Sequence, residues 1–128
     1  MATNFGFPLV VAMLFSSLCI STFVSAEVIH FISNMPKDSP PLSIDCKANG
    51  IYVVQHSLRV GEDYEWTATI NDIYYCTTMW KLFFASWHAY EPKRDVGRET
   101  VYVKIQKEGF FLSYEKSKWT KIEYWETE

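Results

Sequence analysis

Charge is missing from the start of this chain: none of its 12 Lys and Arg or 15 Asp and Glu residues falls within the first 26 positions. A stretch of that length without charge is not the solvated surface of a globular domain. A basic excess is missing too. The net charge of -3 excludes the electrostatic footprint of a duplex nucleic-acid binder, and no run of lysines or arginines marks an anionic-membrane binder. Glycine and proline are scarce, at 5 each among 128 residues, which excludes a collagen-like chain. An aromatic content of 17% is too high for a disordered one. No Asn-x-Ser/Thr triplet occurs, so an N-glycan plays no part in folding or solubility. No segment keeps an apolar period of 3.6 for three turns, so little helix is expected.

The uncharged leader has its own logic. Residues 7–20 form an apolar core, and Val24-Ser25-Ala26 places small residues where signal peptidase requires them. Its n-region carries only the terminal amine. An uncleaved anchor is the alternative, because residues 7–24 just reach across a bilayer. Ser16, Ser17, Ser21 and Thr22 dilute that stretch. The reading adopted is a signal peptide over 1–26 and a single domain over 27–128, secreted, extracellular and without membrane insertion after cleavage.

Of three cysteines, Cys19 lies in the leader, leaving Cys46 and Cys76. In an oxidising compartment two cysteines can close one bridge. Two free thiols or a metal pair are the alternatives; no CxxC or Cys/His spacing supports zinc.

Beyond the leader the dominant period is two. The run 64–70 alternates large apolar and polar residues, as a half-buried strand does. Val101, Val103 and Ile105 share one side of another run, and 27–33, 41–47 and 51–58 are short and rich in branched residues. The stretch 78–87 is nearly continuous in apolar and aromatic side chains, which predicts one central strand covered on both faces. Residues 119–125 read as a last strand. Asn49-Gly50 is the strongest turn signal, because a type I′ hairpin needs positive φ at both central positions. Gly61 and Gly109 punctuate two further connections, and Pro36, Pro40, Pro41 and the 91–97 segment mark longer loops. Seven or eight short strands predict an all-β fold, two antiparallel sheets packed face to face or a small barrel, of which the small antiparallel β-sandwich is the reading adopted.

Catalytic templates find no match. His30, His56 and His88 are far apart in strand-like runs, and a paired Cys46 and Cys76 leave no thiolate. There is no G-x-S-x-G elbow, P-loop or dinucleotide fingerprint. Asp63, Glu65, Asp72 and Asp95 read as turn or solvent-face residues, and EF-hand spacing is absent. No catalytic residue, metal or cofactor is expected. The aromatics have two readings. Tyr74, Tyr75, Trp80, Trp87 and Tyr90 would make a stacking platform for sugars or bases, whereas Trp66, Trp80, Phe83 and Trp87 inside strands would fill a core. Tyr52, Tyr90 and Tyr102, near turns or on alternate faces, are expected at the surface. Lys93-Arg94 is the compact basic pair in an exposed setting, so Pro92, Lys93, Arg94 and Asp95 form the candidate partner-binding loop.

The order of these pieces resembles the plant self-incompatibility S-protein homologue family. Val28-x-His30-x-x-x-Asn34 looks like its first strand, and the 41–47 segment with Leu42, Cys46 and Lys47 is similar to its "L-x-x-x-C-K/S" segment. Leu58-x-x-Gly61-Glu62-x-Tyr64-x-Trp66 resembles the family's turn and aromatic-alternating strand; Thr77-Thr78-Met79-Trp80, Lys107-Glu108-Gly109-Phe110-Phe111 and Trp119 follow in order. Leu82 stands where the family usually has a cysteine, and Thr100 and Tyr102 stand where a second Cys and a Trp are expected. The resemblance implies a β-sandwich, secretion, no enzymatic activity and work as an extracellular ligand, the family's named role being signalling between pistil and pollen. It also implies fewer cross-links here, with strand register having to bring Cys76 opposite Cys46.

The expectation is therefore a secreted, non-enzymatic protein that binds an extracellular or membrane-receptor protein, with no nucleic-acid partner. A carbohydrate-binding module acting on cell-wall glycan is the alternative, predicting a line of exposed Tyr or Trp on one sheet face. A small hydrolase or inhibitor is a further alternative, predicting a histidine clustered with carboxylates in a cleft.

Overall fold

The computed structural model describes residues 26–127; the signal peptide expected over 1–26 lies outside them except for Ala26. In chain order the elements are β1 (Ala26–Ser33), β2 (Leu42–Ala48), β3 (Ile51–Leu58), β4 (Asp63–Thr69), β5 (Tyr74–Trp80), β6 (Phe83–Tyr90), a single helical turn α1 (Pro92–Asp95), β7 (Thr100–Gln106), β8 (Gly109–Ser113) and β9 (Thr120–Glu123). They form a β-sandwich of two sheets, ordered β4-β1-β7-β8-β9 and β3-β2-β5-β6.

Period two dictates the layers. On β1 Ile29 and Phe31 face inward, on β7 Val101, Val103 and Ile105, and on β2 Leu42, Ile44 and Cys46; all are fully buried. Trp87 sits between the sheets, edge-on to Phe31 at 5.3 Å and tilted against Phe110 at 5.1 Å. Its indole N–H donates to Thr78 Oγ1 at 2.9 Å, satisfying a donor that would otherwise be buried alone. Trp80 and Trp87 are core residues as expected, while Trp66 and Phe83 are half-buried against the core rather than in it.

Cys46 and Cys76 face each other across the β2/β5 pair and are joined by a disulfide. At Asn49 and Gly50 φ is 53° and 76°, as the hairpin turn requires.

Three expectations are corrected. First, the described residues carry nine strands rather than seven or eight, and β1 pairs with β7 in parallel. Between them the chain builds the whole other sheet and adds β4 to the free edge of β1, then crosses back through α1, so β7 runs in the direction of β1. Second, 78–87 is not one central strand. It is the end of β5, a turn at Lys81-Leu82 and most of β6, an edge strand of its sheet. Lys81 supplies the left-handed residue, at φ 55°, and Leu82 is left 87% exposed at the tip. Neither residue is a turn former, so hydrophobic continuity hid the reversal. Third, Tyr90 is wholly buried, not a surface aromatic. The β5/β6 register shifts between Tyr74 and Tyr75, which sets Tyr90 opposite Tyr74 and turns it inward. Its hydroxyl donates to the Ile70 carbonyl at 3.3 Å.

Candidate recognition surface

The 91–98 segment is built around one buried carboxylate. Asp95 has no exposed surface; its Oδ2 accepts from the Glu91 backbone N–H at 2.9 Å and from Arg94 at 2.8 Å. Its Oδ1 accepts from Arg94 Nε at 2.8 Å and from the Tyr114 hydroxyl at 2.7 Å. Arg94 also donates to the His88 carbonyl at 3.0 Å, and the Arg98 guanidinium lies over the Tyr114 ring at 4.3 Å. Burial, with the hydrogen bond to Asp95, pushes the Tyr114 hydroxyl up to about 12. Beneath this turn, the buried Glu27 accepts from the Gly97 N–H at 2.7 Å.

Of the candidate loop residues, Asp95 is therefore corrected from contact residue to internal anchor. A carboxylate three residues after a proline read as part of an exposed turn, but α1 folds it back under its own chain. Arg94 is committed to it, Pro92 is half-buried and Lys93 is exposed. Val96, Gly97 and Arg98 are the exposed neighbours that the sequence did not single out.

The three histidines stay apart, each beside carboxylates. His30 Nδ1 is 2.8 Å from Asp63 and its Nε2 3.3 Å from Glu65, with the ring stacked on Tyr102 at 4.8 Å. His56 Nε2 meets Glu62 at 2.7 Å, and its ring stacks on Tyr64 at 3.9 Å. Glu62 also accepts from the Arg59 backbone N–H at 2.9 Å. That bond, with the one to His56, holds its carboxyl below the ordinary value against the opposing effect of burial. His88 Nδ1 meets Glu91 at 3.2 Å in a cleft of about 360 Å³ that Ser86, Arg94 and Tyr75 also line. A histidine–carboxylate pairing in a cleft is the arrangement that the hydrolase alternative asks for. Among the described residues Ser86 makes no hydrogen bond to His88, so no nucleophile–base pair is assembled.

Tyr52 and Tyr102 are at the surface, Tyr52 exposed and Tyr102 half-buried. Pairing of Lys47 with Tyr52 and Tyr75, and of Tyr75 with His88, lines these four residues up across the outer face of β3-β2-β5-β6. The Lys47 ammonium sits 4.4 Å from the Tyr52 ring centre. Tyr74, Trp80, Trp87 and Tyr90 are buried, so the stacking platform proposed for them does not form.

A basic surface emerges on the other sheet that no run of sequence contains. Lys104 pairs with Phe111, which pairs with Lys121, forming one row across β7, β8 and β9. Each lysine rests on an aromatic ring: Lys104 on Trp119 at 4.2 Å, Lys116 on Tyr102 at 4.8 Å and Lys121 on Tyr124 at 4.0 Å. At one end of the sandwich, Lys37, Lys81 and Lys107 line a cleft of about 350 Å³ together with Trp80. Among the described residues every ion pair uses a histidine or an arginine, and no lysine is paired with a carboxylate. The same sheet carries Asp63 and Glu65 on β4, so its outer face is acidic at one edge and basic at the other.

Comparison with known proteins gives two findings. The model of the plant self-incompatibility protein S1 family matches residues 28–125. A solved self-incompatibility protein homologue, described as one of a widespread family of small, highly stable, secreted plant proteins, superposes with a TM-score of 0.64. It is 12% identical, and the match covers 81% of this chain and 97% of that one, so the likeness is one of fold. No relative among curated proteins matches. The family match spans β2 to β9 and all but the start of β1, and with the superposed sandwich it shows that this chain belongs to the plant self-incompatibility protein S1 family.

Proposed function

We propose that the protein is secreted after removal of residues 1–26 and acts, without catalysis, as an extracellular ligand for a membrane-receptor protein in plant cell–cell recognition. The observation that carries this reading is the family membership across residues 28–125 on a disulfide-bridged sandwich. Such a scaffold holds short connections rigidly, which suits recognition. The dispersal of the histidines over three separate carboxylate pairs also supports it.

Within the 91–98 segment the exposed side chains are the candidate contacts: Lys93, Val96 and Arg98. Exchanging the whole loop would remove Asp95 and unfold the turn, so the test is confined to these positions. The mature protein, fluorescently labelled, should bind plant cells saturably. Prior protease treatment of the cells should abolish that binding, and K93E/V96D/R98E should weaken it with thermal unfolding unchanged. Binding that survives protease treatment, or fails to saturate, overturns the receptor reading. Intact-mass analysis of secreted protein should show a chain starting at Glu27 whose two cysteines resist alkylation until reduced.

A further inference from the structure

We infer that the lysine face of β7, β8 and β9, with the cleft at its end, binds a linear acidic polysaccharide through its uronic carboxylates. This site is separate from the 91–98 segment and independent of the receptor reading.

The placement of the cations carries the inference. Lys104 and Lys121 lie two strands apart in one cross-strand row, roughly 10 Å. Lys107 lies in the β7–β8 turn, at the end of the strand that carries Lys104. There it joins Lys37 and Lys81 around the terminal cleft. The track thus crosses the sheet and turns onto its end, which spreads the lysines over more surface than one phosphate can engage. An acidic polysaccharide, with a carboxylate on each uronic ring, can engage the face and the cleft together.

One further feature fits an anion. Rings beneath Lys104, Lys116 and Lys121 hold the ammoniums in place, so less side-chain freedom is lost on binding. Asp38 also lines the cleft and Glu108 sits in the β7–β8 turn, so the track is not uniformly positive. These acids disfavour a very dense polyanion more than a polyuronide with one charge per ring.

The test uses the mature protein and de-esterified polygalacturonate, measured by affinity electrophoresis and calorimetry. Retention is expected at low salt, falling as the Debye length shrinks from ~10 Å at 0.1 M to ~3 Å at 1 M. Fully methyl-esterified polygalacturonate should not retain it. Each Lys→Gln change on the track should weaken binding roughly two- to fivefold, so K104Q/K121Q should lose about four- to 25-fold and K37Q/K81Q/K107Q about eight- to 125-fold. Lys93→Gln should bind as the parent does, and unchanged thermal unfolding shows that the variants fold. Absence of retention, indifference to the track lysines, or equal retention by poly-glutamate or the esterified polymer overturns the inference.

Discussion

Asp95 and Tyr90 show how much one buried polar side chain commits in this domain. Asp95 accepts four hydrogen bonds from three residues, and Arg94 spends its guanidinium on it. Asp95→Ala leaves that cation without its counter-charge, with only the His88 carbonyl to accept from it, and leaves the Tyr114 hydroxyl only the Arg94 carbonyl at 3.0 Å; a cost of about 3–5 kcal/mol is expected in urea unfolding. Tyr90 gives a pH signature. Burial, reinforced by Glu27 and Asp95, raises its hydroxyl from 10.0 to about 12. The folded state keeps this proton where the unfolded chain releases it. Its contribution is complete below pH 10 and is lost as pH rises toward 12, by roughly 2–3 kcal/mol for a shift of that size. Tyr90→Phe should make that alkaline limb shallower in Tm-versus-pH measurements, the remainder coming from Tyr114. Glu62 acts with the opposite sign. Its lowered carboxyl stabilises the fold above the ordinary value of 4.5, and that stabilisation is lost as pH falls through the folded value. Glu62→Gln should remove part of the acid dependence of Tm.

Pairing register decides what the strands achieve. Cys76 lies directly opposite Cys46, so the bridge forms although Leu82 occupies the position where the family resemblance implies a cysteine. Opening a loop of 30 residues by C46A/C76A should cost roughly 3–4 kcal/mol in chemical denaturation. Gly109, at φ 137°, is a second control point. A Cβ there would lie 2.6 Å from the Glu123 carbonyl and 2.8 Å from Lys121 Cε, both in β9. Gly109→Ala is expected to cost roughly 1–3 kcal/mol and to speed hydrogen exchange of the β9 amides. The turn signals at Asn49-Gly50, Gly61 and Gly109 were legible because positive φ favours particular residues. The turn at Lys81-Leu82 and the shift at Tyr74/Tyr75 were not, since residues with no turn preference occupy both.

At the scale of the whole molecule, β1 pairs with β7 across most of the described chain, and the sandwich closes where Phe84 and Glu126 exchange backbone hydrogen bonds at 3.0 and 2.8 Å. Such non-local pairing predicts refolding in milliseconds to seconds, checked by stopped-flow fluorescence of the bridged protein. The sequence by itself determined the all-β class, the alternating core residues and the one hairpin whose residues require it. Each of these rests on local rules: period two for one buried face, and positive φ for a tight turn. Tertiary structure alone decided the parallel β1/β7 pair, the inward turn of Tyr90 and Asp95, and the gathering of lysines from positions 37 to 121 on one end and face. The reason is physical. Which side chains become neighbours across a sheet depends on register and topology, and burial of a carboxylate depends on partners supplied by distant segments. Neither quantity is written in any short stretch of chain.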